Sequence, residues 1–224
     1  MNTFKHSGGH GDLILGLPTV IAIGGGTFYL HRPQARAINR LLEVQPYIKN
    51  IVILDEPQWE AMEVTHNLDL FRHSSNLSVA RMHLDAFKVT FDLSQQWLFN
   101  IAPKLVAKII IHDTGIQRWP GNTVNWNLLK GHEKECVFIG FDSDYLLFKK
   151  YKNLDIPYYK TEDLYEVAQI IAGANLFIGN QSAPYTIAEG LKKTLVLDLS
   201  MQRPQFPFGS NGYCGLGERH LNEL

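Results

Sequence analysis

The chain has 224 residues and a formal net charge of −1, with 21 Lys and Arg against 22 Asp and Glu. That balance supplies no basic field for a nucleic-acid backbone and no acidic tail, and 45% apolar with 19% charged residues excludes a disordered chain. Two cysteines, Cys136 and Cys214, exclude a disulfide scaffold and a Cys-rich zinc module and fit a reducing compartment. The start MNTFKHSGGHGD holds no apolar run of signal-peptide length, and no stretch reaches about 18 apolar residues, so a cytoplasmic protein without a transmembrane segment is expected.

Short apolar runs alternate with helix-period segments, the mark of an α/β fold with a mostly parallel sheet. Residues 2–7 read as a first strand running into the turn Gly8-Gly9-His10-Gly11. Asp12 opens a helical segment, DLILGLPTVIAI, in which Pro18 is expected to end or kink the helix one turn in. Gly24-Gly25-Gly26 breaks the chain before a second strand at 27–31. Arg32-Pro33 starts a helix with Ala37, Leu41 and Val44 on one face, and residues 50–54 form a third strand closed by Asp55-Glu56-Pro57. Residues 58–100 are less regular, with helical spacing at Leu77, Ala80, Leu84 and Phe87, and the stretch 95–103 is expected to cross between two halves. Beyond it, 105–112 and 135–141 read as buried strands, with a helix at 123–131 between them. Residues 161–174 read as a helix capped by Thr161, 175–179 as a strand, 182–192 as a helix with Pro184 near its start, and 194–199 as a last strand. The expected organisation is an N-terminal Rossmann-like half at 1–103, a C-terminal Rossmann-like half at 104–199 and an irregular tail at 200–224.

Ligands of open parallel sheets bind beyond the carboxyl ends of the strands. There the sequence places His6, Ser7, His10 and Asp12, then His31 and Arg32, then Asp55 and Glu56. The second half adds His112, Asp113, Thr114 and, further on, Arg118, then Asp142, Ser143 and Asp144, and finally Asn180, Gln181 and Ser182. The dinucleotide fingerprint G-x-G-x-x-G fails, because Ile14 stands where the third Gly belongs. Two readings stand for Asp12: a helix cap, or a carboxylate at a cleft floor that accepts a proton from an attacking hydroxyl. The turn Asn180-Gln181-Ser182-Ala183-Pro184 either leaves N–H groups for a phosphate or pyrophosphate or is a plain helix start capped by Ser182 or Asn180. Arg118, in IQRWPG, either neutralises a phosphate or is a solvated surface residue. Asp142-Ser143-Asp144 reads as a helix start rather than a metal-holding pair. The nine histidines show no H-E-x-x-H spacing, so no metal site is assigned, and no G-x-S-x-G elbow is present.

GDLILGLP (11–18) resembles the N-terminal Gly-Asp-apolar-apolar-x-x-Leu-Pro motif of glycosyltransferase family 9, the lipopolysaccharide heptosyltransferases, with Pro18 at the family's Pro. LYEVAQIIAGANLFIGNQSAPYTIAEGLKKTLVL (164–197) resembles the family's C-terminal signature, in which Gly-Asn-Asp-Ser-Gly-Pro-x-His-x-Ala links a strand to a helix. RWPGNTVNWNLL (118–129) resembles its basic-Trp-Pro segment. The resemblance covers most of 5–55 and 105–199. It implies a GT-B-like architecture, two Rossmann-like parallel-sheet halves facing a cleft. It also implies inverting, metal-independent transfer of a sugar from a nucleotide-diphosphate donor to a hydroxyl of a glycan or lipid-linked acceptor. Asp12 is then the general base, and Gly11, Arg118, Asn180, Gln181, Ser182, Ala183 and Thr186 contact the donor and its phosphates. No metal and no cofactor is implied besides the nucleotide-sugar substrate. A place in lipopolysaccharide biosynthesis follows from the same resemblance, with peripheral contact at the inner membrane face left open.

Three departures stand inside that signature: Gln181 for the family's Asp, Ala183 for its Gly and Thr186 for its His. A neutral amide cannot accept sugar hydroxyls as a carboxylate does, and Ala narrows the backbone conformations that Gly allows. With a short N-terminal half, these keep a second reading in view: a non-catalytic nucleotide or nucleotide-sugar binding protein on a degenerate GT-B scaffold.

Overall fold

The computed structural model describes residues 1–76, 78–114, 121, 123–201, 205–209, 211–217 and 219–222. The apolar runs form two sheets. The first holds β1 (Thr3–Lys5), β2 (Gly26–His31), β3 (Ile48–Leu54) and β4 (His66–Asn67) in the order β3-β2-β1-β4. The second holds β5 (Ile109–His112), β6 (Cys136–Ile139), β7 (Tyr158–Tyr159), β8 (Leu176–Asn180), β9 (Leu195–Asp198) and β10 (Gly212–Cys214) in the order β10-β9-β8-β5-β6-β7. Every described pairing is parallel, so each strand needs a crossover before the next. Helices α1 (His10–Ile23), α2 (Arg32–Glu43), α3 (Glu56–Ala61), α4 (Val79–Phe87), α5 (Asp142–Lys152), α6 (Leu164–Gly173) and α7 (Ala183–Gly190) supply most of them, and α8 (Arg219–Asn222) follows β10. The class is α/β with two parallel sheets, as the alternation of runs predicts.

Side chains leave a strand alternately to its two faces. Ile110 therefore joins a core shared with α1 and α7, while Ile109 and Ile111 join a second core with Phe138, Phe148 and Trp126. The larger core is continuous from Phe4 and Phe28 of the first sheet, through Leu13, Ile14 and Leu17 of α1, to Ile187 and Ala188 of α7. Helix α1 packs against α4 on one side and α7 on the other, and α2 packs against α6. Arg40 of α2 adds an ion pair across that contact, 2.9 Å from Asp163. The segment after α4 is tied to both sides. The Trp97 and Leu98 N–H groups donate to Gly190 O, and the Tyr47 hydroxyl donates to Trp97 O at 2.8 Å.

Pro18 does not end α1, which runs on to Ile23. A mid-helix proline costs about 3 kcal/mol. Burial of residues Leu13 through Val20 between two neighbouring helices outweighs that cost. The helix ends instead at Gly24, whose φ of 100° lets its N–H turn back to Ile21 O and the Gly25 N–H to Val20 O.

The sequence expectation fails at several boundaries. Residues 105–108 are not strand, and Leu105 is 79% exposed. Phe141, read as the end of a strand, is 74% exposed at the start of α5. The helix expected at 123–131 is a single 3₁₀ turn, Trp126–Leu129, whose cap Asn125 accepts from Asn127 N. Helix α6 is capped by Asp163, not Thr161: the Asp163 carboxylate accepts from Glu166 N at 2.9 Å. Residues Gly212–Cys214, in the stretch expected to be irregular, pair with β9 and widen the second sheet. Backbone bonding to a neighbour makes this strand, and a Gly-Tyr-Cys sequence carries no period to announce it.

Candidate functional site

Helices α1 and α7 fix where a ligand can sit. Each follows a strand beside which its sheet reverses direction: β1 has β2 on one side and β4 on the other, and β8 lies against β5 while the chain's earlier turn from β5 went to β6. Such reversal points hold the ligands of open α/β sheets. The two helix N-termini meet there. A Cβ built on Gly11 would lie 3.6 Å from both Ala183 N and Thr186 Cγ2, ordinary contact distance. Around this junction is a pocket of about 310 Å³. Gly9, Gly11, Asp12 and Leu15 line it from the α1 side, Phe71, Arg72 and Val79 from the chain after β4, and Gln181, Ser182, Ala183, Tyr185 and Thr186 from α7, with Gln205 closing it.

The first turn of a helix presents N–H groups without helical partners and carries partial positive charge. Two such turns on one pocket favour an anion, and a phosphate group suits both. Asp12, half-buried in the first turn of α1, adds a carboxylate to the same pocket. It is not the cap: the helix begins at His10 with Gly9 in the cap position. The pocket therefore combines an anion-favouring wall with a group that can accept a proton.

The side chains at the start of α7 turn mostly onto the protein. Asn180 is buried, and its amide donates to Asp113 Oδ1 at 3.1 Å and Thr114 Oγ1 at 2.9 Å, tying the ends of β8 and β5 together. The Ser182 hydroxyl donates to Asn180 O at 3.1 Å and makes no capping bond to α7, so the N–H groups of that turn are not taken by it. Gln181 Oε1 accepts from Ser200 N at 2.9 Å, and the Thr186 hydroxyl donates to Ala183 O at 2.8 Å.

No family model and no curated protein matches this chain. Solved structures do. A glycosyltransferase family 9 structure from Veillonella parvula aligns over 99% of this chain and 87% of its own, at 13% identity and a TM-score of 0.66. The E. coli heptosyltransferase WaaC, solved with ADP-2-deoxy-2-fluoro heptose, aligns over 100% of this chain and 96% of its own, at 10% identity and 0.62. The E. coli ADP-heptose lps heptosyltransferase II aligns over 97% and 92%, at 11% identity and 0.57. The chain has the fold of these heptosyltransferases.

On that fold, Gly11, Asp12, Gln181, Ser182, Ala183 and Thr186 come together in one pocket, as the sequence motifs imply, while Asn180 stands behind it. Arg118 and Trp119 lie outside the described residues. Asp142 and Asp144 form the first turn of α5 and do not line the pocket. His112 is buried with Nδ1 2.8 Å from Ile139 O, and burial lowers its pKa. Among the described residues no three His, Cys, Asp or Glu side chains are grouped to hold a metal ion, and no helix is long and apolar enough to cross a membrane.

The sequence reading missed Phe71 and Arg72, which follow a strand of only two residues. The Arg72 guanidinium sits 4.7 Å from the Phe71 ring centre and 3.8 Å from Asp69. A Cβ on Gly8 would come within 2.8 Å of it and 2.5 Å of the His6 ring, so position 8 admits no side chain. Behind Phe71 lie two buried imidazoles, His83 at 4.3 Å and His6 at 5.7 Å between ring centres. Burial pulls His6 down to about 4 and His83 to about 3, and the nearby Arg72 charge acts in the same direction. Both are neutral at pH 7 and serve as packing under the pocket floor.

Proposed function

We propose that the chain is an inverting, metal-independent glycosyltransferase of GT-B architecture, with residues 1–103 as the acceptor half and 104–199 as the donor half facing across the pocket. The observation that carries this reading is the meeting of Asp12 with two helix N-termini in one pocket. WaaC is solved with ADP and with ADP-2-deoxy-2-fluoro heptose, which supports a nucleotide-diphosphate sugar as the donor class. An acceptor hydroxyl gives its proton to the Asp12 carboxylate as its oxygen attacks the anomeric carbon. The new C–O bond forms as the bond to the diphosphate breaks on the opposite face, so the configuration inverts. Charge developing on the diphosphate is met by N–H groups in the first turn of α7 and by Arg118, which follows β5 in the sequence. Gly11, Asn180, Gln181, Ser182, Ala183 and Thr186 shape the donor side. Positive helix ends and an arginine thus do the electrostatic work that a divalent ion does in other transferases. The acceptor is a hydroxyl on a glycan or lipid-linked glycan, as in lipopolysaccharide biosynthesis, and the place of action is the cytoplasm or the membrane face bordering it.

Asp12→Asn tests the base. Turnover is expected to fall about 10²–10⁴-fold, while nucleotide-diphosphate binding, read as a thermal shift, stays. Unchanged turnover would remove Asp12 from the role.

One observation favours the non-catalytic reading. Gln181 and Thr186, which replace the family's Asp and His, spend their polar atoms on Ser200 N and Ala183 O. That reading expects nucleotide binding with neither donor hydrolysis nor transfer, so the same wild-type assay separates the two.

A further inference from the structure

Each sheet has two edges, and three of the four are short. Strands β4 and β7 have two residues each and β10 has three. The fourth edge, β3, has seven, and no described strand pairs with its outer side. We propose that this edge is an interface between two copies of the chain. The two β3 strands pair antiparallel about a two-fold axis at Val52 and join two four-stranded sheets into one. Nothing in this rests on the transfer reading.

The outer side of an edge strand carries unpaired N–H and C=O groups, a template for another strand. Proteins blunt such edges by keeping them short or by placing charge, proline or a bulge on them. Shortness protects the other three edges here. On β3 the register with β2 slips at Lys49, so that Gly26 pairs with Ile48 and Thr27 with Asn50. From there on, residues 50–54 pair with 27–31 without interruption. That run is Asn-Ile-Val-Ile-Leu, with no charge, no Gly and no Pro. None of its five residues is buried: Asn50 is exposed, Ile53 is 38% exposed, and Ile51, Val52 and Leu54 are half-buried. Their neighbours on β2, Phe28 and Leu30, are fully buried. The edge is thus long, apolar and open.

The order of residues favours a second copy as the occupant. Two copies related by an axis perpendicular to the sheet run antiparallel and keep their faces on the same side. A residue then pairs with its own counterpart or with one an even number of places away. With Val52 opposite Val52 of the second copy, Ile51 meets Ile53 and Ile53 meets Ile51, while Asn50 meets Leu54. At each end the exposed Lys49 comes to the side where Asp55 of the second copy stands. Asp55 is 60% exposed and already held by Arg32 of its own chain at 2.5 Å, and a carboxylate has acceptor sites for both. Neighbouring registers lack this match: one sets Lys49 against Ile53, and the other sets Asp55 against Ile51. Apolar and opposite-charge cross-strand pairs stabilise a sheet. Five residue pairs make a small interface, so the association is weak and depends on concentration.

Sedimentation of the full chain from about 2 to about 200 µM covers the range in which so small an interface associates. The weight-average mass is expected to rise from 25.5 kDa toward twice that value. Ile53→Lys should hold it at the monomer value throughout and leave Tm and nucleotide-diphosphate binding unchanged. Cysteine cross-linking then reads the register. Cys214 is exposed and Cys136 buried, so Cys214→Ser gives the background. In it, Val52→Cys should form a disulfide-linked dimer under mild oxidation. Asn50→Cys should not, because its counterpart lies four residues away along the strand, about 13 Å, too far for a disulfide. A chain that stays monomeric at 200 µM overturns the proposal. So does a dimer that survives Ile53→Lys, and so does cross-linking at Asn50 that equals or exceeds that at Val52.

Discussion

Lys192 lies just past the C-terminal end of α7, and replacing it by Met should be strongly destabilising. Its ammonium donates to Glu189 Oε1 at 2.5 Å, to Leu93 O at 2.7 Å and to Phe208 O at 3.4 Å, and it lies 4.4 Å from the Trp97 ring centre. The two side chains are only 13% and 2% exposed. Burial alone raises the Glu189 pKa and lowers that of Lys192, and their mutual attraction offsets both. Removing one member of such a pair leaves a buried charge unmatched, which costs about 3–5 kcal/mol. For a chain of this size that is a fall in Tm of about 6–20 °C. The loss must also depend on pH. Glu189 has a folded pKa above its unfolded value, so its folded form holds a proton that its unfolded form has lost. Stability then falls as pH rises from the unfolded value through the folded one. Without Lys192 the folded value climbs further, so denaturation should show a larger deficit at pH 8 than at pH 5. Adding Glu189→Gln to the Lys192→Met background should recover most of the pH 8 deficit. An equal loss at both pH values, or no recovery in the double variant, would refute the reasoning.

His83 gives a second pH signature, of opposite sign. Its folded pKa of about 3 lies below the unfolded value, so its contribution is complete above pH 6.5 and is lost as pH falls toward 3. Between pH 7 and pH 5 that amounts to about 2 kcal/mol, and His83→Leu should flatten that limb of a urea-denaturation series. The same variant should be neutral or stabilising at pH 7, because neither His83 ring nitrogen has a partner of good geometry. Arg72→Ala should leave Tm nearly unchanged, the side chain being 50% exposed, but weaken a nucleoside diphosphate or its sugar about 10–100-fold by losing a charge-assisted bond; titration calorimetry reads this, and an unchanged Kd would remove Arg72 from the site. Turnover should be indifferent to EDTA, and loss of activity restored by a divalent ion would overturn the metal-independent reading.

The strands and long helices were legible because their cause is local. Ile109-Ile110-Ile111 and Leu195-Val196-Leu197 announce buried parallel strands by composition alone, and Gly24 announces the end of α1. What escaped depends on distant partners. Pro18 argues for a break, and only the packing of α1 between α4 and α7 overrules it. Strands β4 and β10 have two and three residues and exist through their neighbours' backbones. For the site, the motif around Asp12 and the turn at 180–186 carried the pocket's two helix ends. Arg72 was hidden because no spacing rule links it to Asp12. His10, His31 and Glu56 were each visible as residues after strands, yet only the sheet order β3-β2-β1 brings them to a pocket of their own beside Trp59.

The position of α1 bears on how the chain could be taken apart. Leu13, Ile14 and Leu17 belong to the same continuous core as Ile187 and Ala188. A chain severed near residue 103 would leave each fragment with a bare apolar strip where the other used to lie. Neither piece is then a domain to be studied in isolation. Co-expressed, the two should find each other and restore the pocket, and a split pair of this kind would report on its own reassembly.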